Sequence, residues 1–133
     1  MTPSSSKIQM LVRRNVKRSV SVADSSSQQH ILIASLLIGQ SVFSRSNMMK
    51  TAPLQRRISQ GKKTCLHAEV ALLQRFVGED LHGPMLVTRY SRGRRRFALA
   101  KPCVYCDRFI RENFPRLRVF YSTGSGVIVP LSD

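Results

Sequence analysis

Hydrophobic residues in this chain recur first at the spacing of a helix and later at the spacing of strands. In residues 7–22, Ile8, Leu11, Val12, Val16 and Val20 alternate at short intervals with Arg13, Arg14, Lys17 and Arg18. Steps of three and four positions predict an amphipathic helix with a basic outer face. An Arg- and Ser-rich start with few acids also has the composition of an organellar transit segment, and the core-like spacing favours the helix. Residues 1–6 are Ser- and Pro-rich and are expected to be disordered.

Residues 31–38 form an apolar run interrupted only by Ser35, which reads as a central strand. Gly39-Gln40 then predicts a tight turn, and residues 41–43 a second strand in hairpin with the first. Residues 44–63 are basic, polar and broken by Pro53, so a long loop is expected there. Val70, Leu72, Leu73 and Phe76 mark a helix over residues 66–76 that stops near Gly78. A strand at 85–90, an Arg-dense turn at 91–96 and a strand or extended arm at 97–100 lead to a second helix at 103–113. Pro102 sits at that helix's entry, where a missing N–H costs little. Strands at 117–122 and 127–131 flank the turn Thr123-Gly124-Ser125-Gly126.

Strands alternating with helices imply an α/β sandwich around a mixed sheet. The short link between the last two strands can only join antiparallel neighbours, since a parallel crossover needs about a dozen residues. At 133 residues the chain is sized for a single domain, over 7–133, and it has no internal repeat. The apolar run at 31–38 is far short of the roughly 20 residues that cross a bilayer, and no apolar h-region follows the N-terminus.

Charge changes the picture. Lys and Arg number 22 against 7 Asp and Glu, a net charge of +15, which points to nucleic acid or a phosphate-bearing nucleotide as partner. The alternative is a generically basic soluble surface. The three cysteines are an odd number, and two form a C-x-x-C pair, which argues against a disulfide framework. A reducing, intracellular compartment (cytoplasm or nucleus, with organellar targeting open) is therefore expected.

The chemistry is carried by His67-Ala68-Glu69 and, downstream, Pro102-Cys103-Val104-Tyr105-Cys106. One imidazole and two thiols a helical turn apart suit one Zn²⁺ per chain, and three protein ligands leave a fourth position for water. Thiols at a helix N-terminus are favoured as thiolates. Two thiolates weaken the ion as a Lewis acid, so water activation needs a base, the role expected of Glu69. The competing reading is a closed structural site with Cys65 as fourth ligand, but structural sites usually pair two such half-motifs, and one half is missing here. Cys65 is expected to be a small buried side chain.

The combination H-x-E…P-C-x-x-C is the zinc deaminase signature, and at these residues the chain resembles the cytidine/deoxycytidylate deaminase superfamily. The similarity runs from about residue 31 to the C-terminus, because the family also orders a strand hairpin, an H-A-E helix, a strand, a P-C-x-x-C helix and further strands. The resemblance implies a three-layer α/β/α sandwich with a five-stranded mixed sheet. It implies His67, Cys103 and Cys106 as zinc ligands, Glu69 as proton shuttle, and Ala68 as a backbone contact to the base. Asn47-Met48-Met49-Lys50-Thr51-Ala52-Pro53 resembles a substrate-side loop that reads K-T-x-P in one branch, which makes Asn47 a substrate candidate; Pro102 and Tyr90 are two more. Gly39-Gln40-Ser41 lacks the sugar-binding Asn common at the end of the second strand. Free-nucleoside enzymes usually have Cys where this chain has His67, so the likeness tilts toward toxin and organellar editing branches.

Arg92, Arg94, Arg95 and Arg96 precede the cysteine helix, and Arg56, Arg57, Lys62 and Lys63 precede His67. With Arg108 and Arg111 on the cysteine helix, they would place positive charge on both sides of a pocket. Tyr90, Phe97 and Tyr105 are candidates for stacking on a base. The expected function is hydrolytic conversion of cytosine to uracil by a zinc-activated water, in single-stranded nucleic acid or a cytidine nucleotide. The alternatives are adenine or guanine deamination, or a non-enzymatic nucleic-acid-binding module with structural zinc.

Overall fold

A computed structural model of the chain describes residues 6–25, 30–51 and 65–131. The expected leading helix is α1, Ser6–Ser25. Its buried stripe consists of Ile8, Leu11, Asn15, Ser19 and Ala23, whereas Val16 and Val20 stay 40% and 41% exposed. The periodicity therefore located the helix but turned its inner face too far toward the valines. Two polar residues go inside because they have partners there. Asn15 Nδ2 donates to Thr88 Oγ1 at 3.1 Å, and Ser35 Oγ donates to Asn15 Oδ1 while also meeting Ser44 Oγ at 2.8 Å. A buried amide satisfied on both sides avoids the roughly 1–3 kcal/mol penalty of an unpaired polar group.

After α1 come β1 (His30–Ile38) and β2 (Ser41–Ser46), an antiparallel hairpin in which Ile38 opposes Ser41. A two-residue link fits that register, and Gly39 supplies the positive φ (62°) that its first position requires. β3 (Met48–Thr51) arises inside the segment expected to be loop and β4 (Cys65–Leu66) just beyond it, where Leu66 is expected to open a helix; the two pair antiparallel as a separate two-stranded sheet. Residues 52–64, with Arg56, Arg57, Lys62 and Lys63, lie outside the described residues, as does the side chain of Cys65.

Helix α2 (Ala68–Leu73) continues as a 3₁₀ turn, Gln74–Phe76. Then follow β5 (Met85–Ser91), β6 (Arg96–Ala98), α3 (Val104–Asn113), β7 (Val119–Ser122) and β8 (Ile128–Pro130). The main sheet is open, mixed and six-stranded, in the order β2-β1-β5-β7-β8 with β6 added beside β5. The sixth strand exceeds the five expected. β5 pairs with β7 through Met85–Val87 and with β6 through Arg89–Ser91, so one edge of β5 serves two partners. Ser122 seals that seam, accepting from the Arg89 N–H at 3.2 Å and donating to the Ala98 carbonyl at 2.6 Å. β5 and β7 are parallel, and β7 and β8 are antiparallel as their short link demands.

Alternation along the strands assigns the two faces. Ala34, Leu36, Met85 and Val87 pack with Val70, Leu72, Phe109 and Ile110, placing α2 and α3 on one face. Ile31, Ile33, Tyr90 and Phe97 pack with Ala23 on the other, beneath α1. Fully burying a Leu or Ile contributes roughly 1.5–3 kcal/mol, and Leu11, Ile31, Ile33, Leu36 and Leu72 are all completely enclosed.

Candidate metal centre

His67 and Cys103 hold equivalent positions at the starts of their helices. Each is the N-cap, with extended backbone (ψ 154° and 166°) turning into α2 and α3 respectively. Their carbonyls accept the first helical bonds, from Ala71 and Asp107, both at 2.8 Å. The Cys103 sulfur accepts from the Cys106 N–H at 3.5 Å, doing at the head of α3 what an N-cap oxygen usually does. Cys106 lies one turn on and is fully buried in the core shared by α2 and α3.

The three donors converge. His67 Nδ1 lies 3.2 Å from Cys106 Sγ and 3.7 Å from Cys103 Sγ, and all three ligand atoms fall within 4.8 Å of one another. Bond lengths of about 2.05 Å to nitrogen and 2.3 Å to sulfur at tetrahedral angles imply N···S edges of about 3.6 Å, which the observed pair brackets. One nitrogen and two sulfurs at this separation fit a zinc ion, with Nδ1 as the imidazole donor. Cys103 and Cys106 are not joined in a disulfide.

Electrostatics reinforce the geometry. Hydrogen bonding from Cys106, against the opposing effect of burial, and contact with His67 bring the Cys103 thiol down to about 3. Glu69, in the first turn of α2, is 3% exposed, and its Oε1 has no hydrogen-bond partner. Burial is the main cause holding its carboxyl above the ordinary value; its own backbone N–H and His67 oppose that rise, and Cys103 adds to it. A carboxyl left unpaired inside a core is costly, and this one stands in the first turn of the helix that His67 caps.

The other expected residues distribute unevenly. Ala68 and Pro102 are buried next to His67 and Cys103. Asn47 directly follows β2 and bonds to β1: its Oδ1 accepts from the Leu32 N–H at 3.3 Å, and its own N–H donates to the Leu32 carbonyl at 3.1 Å. Tyr90 is not brought to the cluster, because it packs edge-on against Phe97 at 6.5 Å under α1. Tyr105 instead lies on α3 with the Arg108 guanidinium 5.8 Å over its ring, and Arg111 is tied to Asp107 at 2.6 Å.

Arg92, Arg94, Arg95 and Arg96 are exposed at the hairpin joining β5 to β6, where Arg95 takes a positive φ of 54°. This hairpin and the cysteines share one end of the sheet. Ala100 donates to the Ser122 carbonyl at 2.8 Å, and three further residues span at most about 10 Å before Cys103.

Arg89 was not singled out by its sequence context. Its place on β5, two residues after Val87, turns it toward the face of α2 and α3, and its Nε is buried without a hydrogen-bond partner. An arginine at a core-facing strand position was the available signal. A cavity of about 260 Å³ lined by Ile110, Phe114, Leu117 and Leu131 lies at the far end of α3 from Cys103 and holds no acid–base pair. Among the described residues, no helix is long and apolar enough to cross a membrane. The chain matches no protein-family model and no curated protein.

Proposed function

We propose that this chain is a zinc-dependent deaminase that converts cytosine to uracil, within single-stranded nucleic acid or a cytidine nucleotide. The observation that carries the reading is Glu69, a buried carboxyl with an unpartnered oxygen beside a three-donor cluster. A closed structural site has no use for such a group. Further support comes from the strand hairpin, the two ligand-bearing helices in order and the antiparallel last strands, an order of elements also found in the family that the motifs resemble.

His67, Cys103 and Cys106 would hold the zinc, which supplies a Lewis acid that makes a water easier to deprotonate. Glu69 Oε1 takes a proton from that water as its oxygen bonds to the amino-bearing ring carbon, and passes the proton to the adjacent ring nitrogen. It then moves the second proton from the new hydroxyl to the amine, which leaves as ammonia while the carbonyl forms. One carboxyl serves as base and then acid, and burial raises its proton affinity above that of an ordinary carboxylate.

The test is mass spectrometry of products after incubation with cytidine, deoxycytidylate, and single- and double-stranded oligonucleotides. Exchange of amine for oxygen adds about one mass unit, which identifies base and carrier together. No mass change on any of the four carriers would reject cytosine deamination.

A further inference from the structure

The basic residues of α1 take no part in the fold. Lys7, Arg13, Arg14, Lys17 and Arg18 are all exposed, and none forms an ion pair among the described residues. Asp24 is the sole acid of the helix, and the first turn has none. Arg13 with Lys17 and Arg14 with Arg18 are like charges four apart, which disfavour a helix, as does Lys7 in the first turn. Packing of Ile8, Leu11 and Ala23 and the bonds of Asn15 hold α1 in place regardless. The charges are carried against local helix stability.

We propose that the outer face of α1 is a docking surface for the phosphate backbone of single-stranded nucleic acid. At 1.5 Å per residue, Lys7 to Arg18 spans about 16 Å. Five positive charges over that length approach the density of one phosphate per about 3.4 Å in a nucleic-acid strand. An anionic membrane fits the surface less well, because interfacial helices insert Trp, Phe or Leu. Here Ile8 and Leu11 are buried against the sheet, and the large apolar residues exposed on α1 are Val16 and Val20.

The surface lies on the sheet face opposite the helices that carry His67 and the cysteines. It is therefore an anchor on the face away from the metal centre. Contacts of this kind are independent of sequence and fix where the strand lies. This inference deepens the proposed function by locating a polynucleotide partner, but it has its own readout.

The experiment measures fluorescence anisotropy of a labelled single-stranded oligonucleotide with the full chain over a salt series. It compares the natural sequence with a variant carrying Arg13→Gln, Arg14→Gln, Lys17→Gln and Arg18→Gln. Glutamine is about as good a helix former as arginine or lysine, so α1 is retained. A milder Arg14→Gln, Arg18→Gln variant guards against misfolding. Each lost phosphate contact lowers the slope of log affinity against log salt by about 0.7, so the expected falls are about 3 and about 1.4. Turnover of free cytidine nucleotide should be unchanged in both variants. Unaltered affinity and slope in both would overturn the docking surface, as would undiminished oligonucleotide binding alongside lost binding to phosphatidylserine vesicles. Salt-dependent binding that both variants weaken, in a protein that deaminates nothing, would leave the surface standing and sink the deaminase reading.

Discussion

Replacing Glu69 by glutamine should abolish turnover while making the metal-free protein more stable at neutral pH. Glutamine preserves the shape of the side chain but has no proton to give up. Loss of a positioned acid–base group costs about 10²–10⁴ in rate, and here one carboxyl serves both transfers, so the upper end is expected. The stability effect follows from burial, which holds the Glu69 carboxyl above its ordinary value of 4.5. Above that pH the unfolded chain releases the proton while the folded chain retains it, so the folded state binds more protons. Stability then falls as pH rises, by about 1.4 kcal/mol per pH unit while the folded group stays protonated. Below pH 4.5 both states are protonated and the penalty vanishes. Calorimetry of the metal-free pair should thus give similar Tm values at pH 4 and a higher Tm for Glu69→Gln at pH 7. Each 1 kcal/mol is worth roughly 3–5 °C for a chain of this size. Ammonia release and zinc content complete the assay, with zinc retained. Undiminished ammonia release from the variant would refute the shuttle, and a Tm gap independent of pH would refute the burial argument.

Three further outcomes are expected. Chelation should lower Tm by roughly 10 °C and added zinc should restore it, because metal at 100 times its Kd contributes about 2.7 kcal/mol; a Tm indifferent to chelator would count against binding at His67, Cys103 and Cys106. In the metal-free protein, Cys103 should be alkylated readily at pH 6, since its thiol is brought down to about 3. The stability from this thiolate is fully present above the unfolded value of 9.0 and is lost as pH falls toward 3, which acid titration followed by circular dichroism would detect. Leu11→Ala should cost about 2–5 kcal/mol in urea denaturation, whereas Val16→Ser should stay within about 0.5 kcal/mol; equal effects would contradict the observed face of α1.

What could be read from the sequence follows the range of the interactions involved. The His67, Cys103 and Cys106 cluster was legible because the two cysteines are set one helical turn apart locally, and because each of the two helices starts at its motif. The inner face of α1 was not, since Asn15 goes inside through Thr88, 73 residues away, and Ser35. Tyr90 illustrates a second limit. β5 is buried on both faces, so its near-continuous apolar pattern does not say which side chains see α1 and which see α2 and α3. β3 and β4 are too short to register as strands, whereas β6 falls on the strand or extended arm expected at 97–100 and forms where the Arg-rich hairpin folds back on β5.

X-ray absorption at the zinc edge of purified protein addresses the central claim most directly. The account predicts one zinc per chain with two sulfurs at about 2.3 Å and two nitrogen or oxygen neighbours at about 2.0–2.1 Å. A third sulfur, which would come from Cys65, or protein that never takes up zinc, would contradict it.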